Sequence, residues 1–309
     1  MSVISNFGKY CRMYRSNKKY FTYRLLGKAC GGWMPDGLYL RILYRVLTGN
    51  NLHLRNPVTF SEKLQWLKIH NRRPEYTRMV DKYAVKDYVA GIIGEEYIIP
   101  TIGVWDSPEE IDFESLPRQF VLKPTQGGGG SEVIICKDKD KLDRKAAIAK
   151  LKAGLKQDSY RYLREWPYKN VPRRVIAEKY MEAKDAKTEG LTDYKFYCFD
   201  GDPKYCQVIK DRNTIETIDF FDMNWELQEF IGLNRKAVHA TLMPERPSRY
   251  EEMKVIVKKL SEGIPFSRID LYEINNRIFF GEITFYPASG MGSFRPEKWD
   301  NILGNYITI

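Results

Sequence analysis

Four consecutive glycines, Gly127–Gly130, strongly constrain the fold because they stand between two short apolar segments. The first segment is Phe120-Val121-Leu122-Lys123, and the second runs from Glu132 to Cys136. Glycine loses more conformational freedom on folding than any other residue, so this run requires a compensating interaction. Two strands joined by a glycine hairpin can fold over a phosphate chain, with backbone N–H groups and the Lys123 ammonium directed at it. The element therefore predicts nucleotide binding, and the alternative is a flexible hairpin tip.

The glycine run differs from two common nucleotide-binding motifs. No Gly-Lys-Ser/Thr triplet leads into a helix, so it is not a P-loop, and a strand rather than a helix follows, so it is not a dinucleotide fingerprint. A later segment, Ile176–Glu182, begins as a strand and then becomes polar. Its backbone could bind the edge of an adenine, with a carboxylate for the ribose; the alternative is a core strand followed by a turn.

Asp270 and Glu282 form a second constellation, twelve residues apart in two predicted strands around an Asn275-Asn276 turn. Both acids alternate with apolar neighbours, which places them at facing positions on one side of a hairpin. Facing carboxylates repel each other unless a cation lies between them. Mg²⁺ favours a few carboxylate oxygens together with substrate phosphates, so the pair predicts Mg-nucleotide chemistry. The alternative is two surface acids that meet Lys or Arg partners.

The order of predicted strands and helices indicates an α+β protein with mostly antiparallel sheets. Thr59 and Glu62 form a capping box, and Ser248 and Glu251 predict another helix start. Asp200-Gly201-Asp202-Pro203 predicts a hairpin turn. Further predicted helices and strands cover residues 81–90, 141–157, 175–178, 194–199, 204–209, 266–271 and 277–283.

Charge is concentrated in residues 1–50, which hold nine basic groups and one acid, Asp36, for a net +8 of the chain's +10. Short cationic helices with aromatic side chains can lie on an anionic membrane or bind an acidic polymer. The alternative is a helical arm packed on the main body. The five cysteines and three histidines lack metal-site spacing. No apolar run approaches the roughly 20 residues of a membrane span, and no signal peptide is evident, so we expect a cytoplasmic protein.

The chain resembles the TupA-like ATP-grasp family, which is linked to teichuronopeptide and capsular polysaccharide synthesis. The resemblance spans about residues 50–309, and its last motif is the most specific. It rests on Phe60-Ser61-Glu62-Lys63-Leu64-Gln65-Trp66, Asp81-Lys82-Tyr83, Phe120-Val121-Leu122-Lys123, Arg164-Glu165-Trp166-Pro167-Tyr168, Asp193-Tyr194-Lys195-Phe196, Arg268-Ile269-Asp270-Leu271-Tyr272 and Phe280-Gly281-Glu282-Ile283-Thr284-Phe285-Tyr286-Pro287-Ala288-Ser289-Gly290.

This resemblance implies two α+β lobes that clasp ATP. It divides the chain into a basic helical N-terminal arm (1–50), an N-terminal α/β lobe (51–118), a small lobe with the glycine-rich loop (119–182) and a large lobe with the Mg²⁺ site (183–309). The nucleotide-binding residues that it implies are Lys82, Lys123, Gly127, Gly128, Gly129, Gly130, Ser131, Glu178, Tyr180, Met181, Glu182 and Asp185. The metal ligands that it implies are Asp270, Glu282 and Thr284, the last standing where many ATP-grasp ligases have asparagine. Lys195 would face the phosphates, and Arg268 would stabilise the transferring phosphoryl group.

The implied activity is ATP- and Mg²⁺-dependent ligation of a carboxylate and an amine through an acylphosphate, with the carboxylate on a uronic acid of a capsular or cell-surface polysaccharide. The expected partners are an acidic or lipid-linked glycan, an amine co-substrate and, through the arm, an anionic membrane at its inner face. Substrate specificity is expected around residues 161–168 and beyond Pro287. Three alternatives stay open: a glycan kinase, a glycosyltransferase that uses Asp200-Gly201-Asp202 as a metal motif, and a basic nucleic-acid scaffold. The last leaves the glycines and paired acids unexplained, so we expect no nucleic-acid partner.

Overall fold

The computed structural model describes residues 18–127, 132–182, 191–210, 217–233 and 237–309. The helices are α1 (Lys18–Cys30), α2 (Asp36–Thr48), α3 (Phe60–His70), α4 (Glu75–Val80), α5 (Ala84–Ile93), α6 (Arg144–Leu155), α7 (Ser159–Leu163), α8 (Tyr250–Ser261) and α9 (Lys298–Asn305). The strands are β1 (Thr101–Trp105), β2 (Phe120–Pro124), β3 (Ile134–Cys136), β4 (Val175–Lys179), β5 (Asp193–Phe199), β6 (Asp202–Lys210), β7 (Thr217–Asp222), β8 (Ile231–Gly232), β9 (Phe266–Ile274), β10 (Arg277–Thr284) and β11 (Phe294–Arg295).

Two antiparallel sheets organise the molecule and confirm the predicted α+β class. The small sheet has four strands in the order β1-β4-β2-β3, and the large sheet has five in the order β10-β9-β5-β6-β7. All strand pairings within both sheets are antiparallel. In the part of the chain that is described, none of the helices combines the length and apolarity that crossing a bilayer requires.

Alternation along β2 and β4 gives the small sheet two different faces. Phe120 and Leu122 of β2 and Ala177 of β4 are buried in a core that includes Leu151 of α6. Because side chains alternate across a strand, Lys123 of β2 lies on the opposite face. Pairing of β2 with β4 places Glu178 on that face too, since its register partner is Val121. The small sheet therefore has an apolar side and a charged side.

The large sheet is covered on both faces. On one face the Phe196 ring stacks on Tyr250 of α8, with ring centroids 5.7 Å apart. On the other face Phe60, the first residue of α3, meets the Phe266 ring edge to face at 4.8 Å. Arg268 and Asp270 follow Phe266 at two-residue steps along β9, so they point to the same side as Phe266. Helix α3 closes one end of this face, and a row of charged residues occupies the other end.

The arm helices α1 and α2 pack on each other and are attached to the body through α7 and the residue after it. Arg164, whose side chain is 2% exposed, donates hydrogen bonds to the carbonyl oxygens of Gly31 and Met34. Its Nε also lies 2.8 Å from Asp36 Oδ1, and its guanidinium lies over the Tyr39 ring at 4.0 Å. Arg164 therefore anchors the arm, although the sequence placed it in a region expected to determine specificity.

The local sequence patterns predicted some helix starts and turns correctly and others wrongly. The capping box of Thr59 and Glu62 is present at the start of α3. The Ser248 cap was wrong, because this hydroxyl donates instead to Glu273 and, at 2.9 Å, to Asn276, while α8 starts at Tyr250 without a side-chain cap. The helix predicted from residue 81 starts at Ala84. The hairpin turn between β5 and β6 is confirmed.

That turn bears on the metal motif considered for a glycosyltransferase. Asp200 and Gly201 have positive φ values of 48° and 81°, as a tight hairpin turn requires. Asp202 already belongs to β6, and its carboxylate lies 2.6 Å from Lys204 Nζ. The two acids therefore form a turn and a surface ion pair.

Candidate active site

Three neighbouring strands place Lys195, Asp270 and Glu282 in one row across the large sheet. Lys195 of β5 is the register partner of Asp270 in β9, and Asp270 is the partner of Glu282 in β10. The facing positions predicted for the two acids are therefore confirmed. The register shifts just before Glu282, at Gly281, where an added Cβ would lie 3.0 Å from the Asp270 carbonyl oxygen. Glycine thus permits the close approach of the two strands at this point.

The cation between the two carboxylates is the guanidinium of Arg268. Its Nε donates to Asp270 Oδ1 at 2.7 Å, and its Nη2 donates to Asp270 Oδ2 at 2.8 Å and to Glu282 Oε1 at 2.9 Å. Nη2 also lies 3.1 Å from the Thr284 hydroxyl, which can donate to Glu282 Oε1 at 3.3 Å. Lys195 donates to Asp270 from the other side. The structure thus brings together all five residues predicted for the metal and phosphoryl-transfer end of the site.

The two carboxylates differ in exposure. The Asp270 side chain is 1% exposed and both of its oxygens are engaged, whereas the Glu282 side chain is 32% exposed. Burial alone would raise the pKa of Glu282, but the positive charges of Arg268, Lys195 and Lys82 lower it to about 2. Glu282 is therefore ionised at neutral pH, and its Oε2 makes no hydrogen bond or ion pair with a described residue.

A second charged cluster lies on the charged face of the small sheet. The Glu178 carboxylate binds Lys123 through Oε2 at 2.6 Å and Lys86 through Oε1 at 2.8 Å. Burial raises the pKa of Glu178, but the two lysines outweigh it and lower the pKa below its usual value. The sequence singled out Lys123 and Glu178 separately and missed Lys86. A signal was present, since Lys86 lies four residues after Lys82.

Lys82 connects the two clusters. Its backbone N–H donates to the Thr125 carbonyl at 2.9 Å, and its ammonium group donates to the carbonyl oxygen of Gly127, where the glycine run starts. Burial lowers the pKa of Lys82, and the negative charge of Glu282 opposes this shift. The ammonium group thus contacts the start of the glycine loop and lies within electrostatic reach of Glu282, as expected of a group that binds a phosphate chain.

The donor set fits the ligands that the resemblance implies. Asp270, Glu282 and Thr284 supply hard oxygen donors on one face, and Glu282 retains one unengaged oxygen. Within the described ranges, no group of three or more His, Cys, Asp or Glu side chains could hold a metal ion. Mg²⁺ usually takes only one or two carboxylates and completes its shell with phosphate and water, so this pair suits Mg²⁺ held against a nucleotide.

A third cluster joins α3 to the segment that follows β10. The Lys68 side chain is completely buried, and its ammonium donates to the Ser289 carbonyl and hydroxyl oxygens at 2.9 and 2.8 Å. It also donates to the Leu163 carbonyl at 2.9 Å, and Gln65 donates to the Ser289 carbonyl at 2.9 Å. Ala288 and Ser289 have φ values of 46° and 56°, a left-handed conformation that costs a non-glycine residue about 1 kcal/mol or more. Lys68 and Gln65 therefore stabilise a strained turn beside the site.

Glu165 is half-buried and interacts with Lys68 and Ser289 of this third cluster. Burial raises the pKa of Glu165, and the positive charge of Lys68 and a hydrogen bond to the Ser289 side chain oppose this shift; its carboxylate makes no ion pair within 4 Å to a described residue. Burial raises the pKa of Tyr168, three residues later, and the charges of Glu165 and Glu282 raise it further. Tyr168 is therefore a neutral hydroxyl within electrostatic reach of Glu165 and Glu282.

The residues predicted for the adenine hinge lie at the end of β4. Tyr180 and Met181 are half-buried and Glu182 is exposed. Tyr180 borders an open depression of about 500 Å³ that none of the charged clusters lines; its other lining residues are Pro100, Ile102, Pro117, Arg118, Gln119 and Lys179. Gly128, Gly129, Gly130, Ser131 and Asp185 fall outside the described residues.

Comparisons with known proteins place this geometry in a family. A sequence model described as "TupA-like ATPgrasp" matches residues 62–308. No curated protein matches the chain. Among solved structures, the chain is similar to D-alanine–D-alanine ligase from Bacillus anthracis at 17% identity and a TM-score of 0.43, covering 74% of this chain and 65% of that one. The corresponding enzyme from Helicobacter pylori shows 16% identity and a TM-score of 0.42, with coverage of 76% and 62%.

The chain thus spans less than two thirds of the length of these ligases. The assignment accordingly rests on the family match, which covers most of the chain and includes β2, β9, β10 and every charged cluster described above. The chain belongs to the TupA-like ATP-grasp family and has the ATP-grasp fold.

Proposed function

We propose that this protein is an ATP- and Mg²⁺-dependent ligase that joins a carboxylate to an amine in the synthesis of a capsular or cell-surface polysaccharide. The position of Lys82 carries the proposal. Its ammonium binds the glycine-loop carbonyl of Gly127 and lies within electrostatic reach of Glu282 and Glu178. One cation therefore unites the predicted phosphate loop, the predicted metal carboxylates and the cluster on the small sheet.

In this proposal the lysines and the loop bind the triphosphate. Lys123 and Lys86 would exchange part of their contact with Glu178 for phosphate oxygens, and Lys82 would do the same with Gly127. Asp270, Glu282 and Thr284 would hold Mg²⁺, which when bound neutralises phosphate charge. Arg268 and Lys195 are already aligned by Asp270, so they are positioned to stabilise charge on the transferring phosphoryl group.

The proposed reaction requires no covalent nucleophile on the protein. A substrate carboxylate oxygen bonds to the γ-phosphorus of ATP as the bond to the ADP oxygen breaks, which gives an acylphosphate and ADP. The amine nitrogen then bonds to the acyl carbon, the acyl carbon–oxygen bond breaks with its electrons leaving on phosphate, and the nitrogen loses a proton. Alignment and charge neutralisation account for such catalysis.

We propose a uronic acid of an acidic or lipid-linked glycan as the carboxylate substrate, following the family resemblance. For the amine, we propose that the Glu165 carboxyl group binds the substrate nitrogen. The carboxylates of Asp270, Glu178 and Asp36 are each bound by two cations, whereas Glu165 has none within 4 Å among the described residues. The side of the site bounded by Glu165 and Tyr168 is therefore the proposed entry for the amine.

We also place this activity in the cytoplasm, where ATP is available. The described cysteines, Cys30, Cys136, Cys198 and Cys206, are free thiols, which suits a reducing compartment.

The test is trapping of the acylphosphate with hydroxylamine. Purified protein is incubated with ATP, Mg²⁺, oligosaccharides that contain glucuronic acid, and hydroxylamine, and hydroxamate and ADP are quantified. We expect both products, and we expect Lys123→Ala and Glu282→Gln to reduce them more than 100-fold. Lys258→Ala and Glu297→Gln, matched changes at exposed positions away from the clusters, should reduce them less than twofold.

The same assay separates the alternatives. A glycan kinase would release ADP and give a glycan heavier by one phosphoryl group, with no hydroxamate. ADP release that is equal in the wild type and Lys123→Ala would contradict the nucleotide site itself.

A further inference from the structure

The outward face of α2 carries a stripe of alternating apolar and basic side chains. Leu38, Arg41, Ile42 and Arg45 follow the i, i+3, i+4, i+7 spacing of one helix face, so they lie on one side of the helix. All four are exposed, Leu38 by 50% and Ile42 by 36%. The opposite side of the helix is buried in a core shared with α1 and α3 (Tyr39, Leu40, Leu43 and Tyr44). This helix is therefore apolar on both sides, and its outer side also carries charge.

Exposed apolar side chains also occur in the turn before α2 and on α1. Trp33 is 72% exposed, and its indole N–H donates to the Ala29 carbonyl at 3.0 Å, so the ring lies over the last turn of α1. Leu25, which is 52% exposed, precedes the exposed Ala29 by four residues on the same side of that helix. Tryptophan is the residue most typical of the boundary between lipid and water.

Among its described residues, this surface carries positive charge without an exposed acid from residues 1–50. Asp36 is the only acid in residues 1–50, and its carboxylate turns inward to Arg72 at 2.5 Å and Arg164 at 2.8 Å. Arg41 and Arg45 point outward, and no carboxylate lies within 4 Å of either guanidinium among the described residues. Within the described ranges, the Arg45 guanidinium bonds to the Gly49 carbonyl and to no carboxylate.

We propose that α2 and the α1–α2 turn bind the surface of an anionic lipid bilayer, with the helices lying in the plane of the interface. Leu38, Ile42 and Trp33 would enter the headgroup region, and Arg41 and Arg45 would bind lipid phosphates. Exposed aliphatic and indole side chains next to guanidinium groups fit this partner, because a bilayer interface offers hydrocarbon and anions side by side. The proposal concerns a surface outside the ligase site and does not depend on the substrate.

The test uses the full chain and sedimentation with two kinds of vesicle. One kind contains equal parts of phosphatidylglycerol and phosphatidylcholine, and the other contains phosphatidylcholine only. We expect binding to the anionic vesicles to be at least tenfold tighter and to weaken steeply as salt is added. Trp33→Ser combined with Leu38→Ser and Ile42→Ser should weaken it at least tenfold, and Arg41→Gln with Arg45→Gln should weaken it and reduce its salt dependence.

A matched variant controls for charge and hydrophobicity elsewhere. Leu242→Ser, at an 85% exposed leucine, combined with Lys258→Gln and Lys259→Gln on α8, should change vesicle binding less than twofold. Circular dichroism and ATP turnover establish that each variant is folded. The proposal is overturned if the wild type does not bind anionic vesicles, or if the α2 variants bind them as tightly as the control.

Discussion

The outer face of α2 and the charged row on β5, β9 and β10 use similar side chains in opposite environments. On α2, Arg41 and Arg45 are exposed, and no carboxylate from the described part of the chain pairs with them. On the large sheet, Arg268 is 12% exposed and is hydrogen-bonded to Asp270, which is 1% exposed. A charge in solvent keeps its hydration and is free to meet an external partner. A buried charge must be compensated within the protein, and its partners then fix its direction.

Arg164 shows that position in the chain does not decide whether an arginine is exposed or is buried and paired. It lies in a segment with several exposed basic groups, yet its side chain is 2% exposed and is compensated by Asp36. Its role is to attach the arm. The difference between the α2 face and the charged row shows that burial and ion pairing, more than residue type, distinguish a binding surface from a candidate active site.

The largest effect on stability should come from removing the buried Asp270 carboxylate from the charged row on the large sheet. Asp270→Asn leaves Lys195 and Arg268 without a shared counter-charge, so we expect the free energy of unfolding to fall by about 3 kcal/mol. Arg45→Gln on α2 should change it by less than about 0.5 kcal/mol. Urea unfolding of both variants measures the contrast. Adding Lys195→Met to Asp270→Asn should restore part of the loss, and equal stability of Asp270→Asn and wild type would refute the argument.

A smaller effect is expected at Asp36, the one acid of the arm. Asp36→Asn removes the counter-charge of Arg164 and Arg72, and we expect a loss of about 2 kcal/mol, less than for Asp270 because Asp36 is 19% exposed. Limited proteolysis should then cut near residues 31–35 more readily, since Arg164 also binds carbonyls there. The isosteric change Asn50→Asp, at an exposed residue after α2, is the control and should leave the cleavage rate unchanged.

The smallest effect concerns the titration of Glu282. Its pKa is lowered from an ordinary 4.5 to about 2, so its ion pairs stabilise the fold fully above pH 4.5 and lose that contribution as the pH falls toward 2. The stability difference between wild type and Glu282→Gln should therefore shrink by about 1 kcal/mol between pH 6 and pH 3, allowing for solvent screening of a partly exposed group. Urea unfolding at both values checks this. A difference that grows on acidification would contradict the assigned ion pairs.

Short-range patterns predicted much of the fold and part of the site. Alternation around the Asn275-Asn276 turn placed Asp270 opposite Glu282, because strand period and turn length together determine hairpin register. The same reasoning located the capping box of α3 and the turn at Asp200-Gly201. Each of these depends on residues within about a dozen positions of one another.

Long-range contacts were the part that sequence reasoning missed. Ser248 has the local pattern of a helix cap, but its hydroxyl binds Glu273 and Asn276, which lie 25 or more residues away in the chain, at the β9–β10 hairpin. In the sequence Lys86 is an ordinary helix residue, because its partner Glu178 lies in β4, far away in the chain. Arg268 was assigned a catalytic role by resemblance only, and its position between two carboxylates became visible only with the side chains in place.

By itself, the sequence determined the α+β class, the pair of strands on either side of the glycine run, the facing acids and the concentration of positive charge in residues 1–50. Each of these features depends on residues that are close together in the chain, because their spacing sets which side of a strand or helix they occupy. The tertiary structure decided which charges are paired and which remain exposed. Asp36 is turned inward to Arg164, whereas Arg41 and Arg45 are exposed. Arg268 lies between Asp270 and Glu282, and the Lys82 ammonium lies against Gly127 at the start of the glycine run. The reason is physical, since the energy of a charge depends on burial and on partners that arrive from distant parts of the chain.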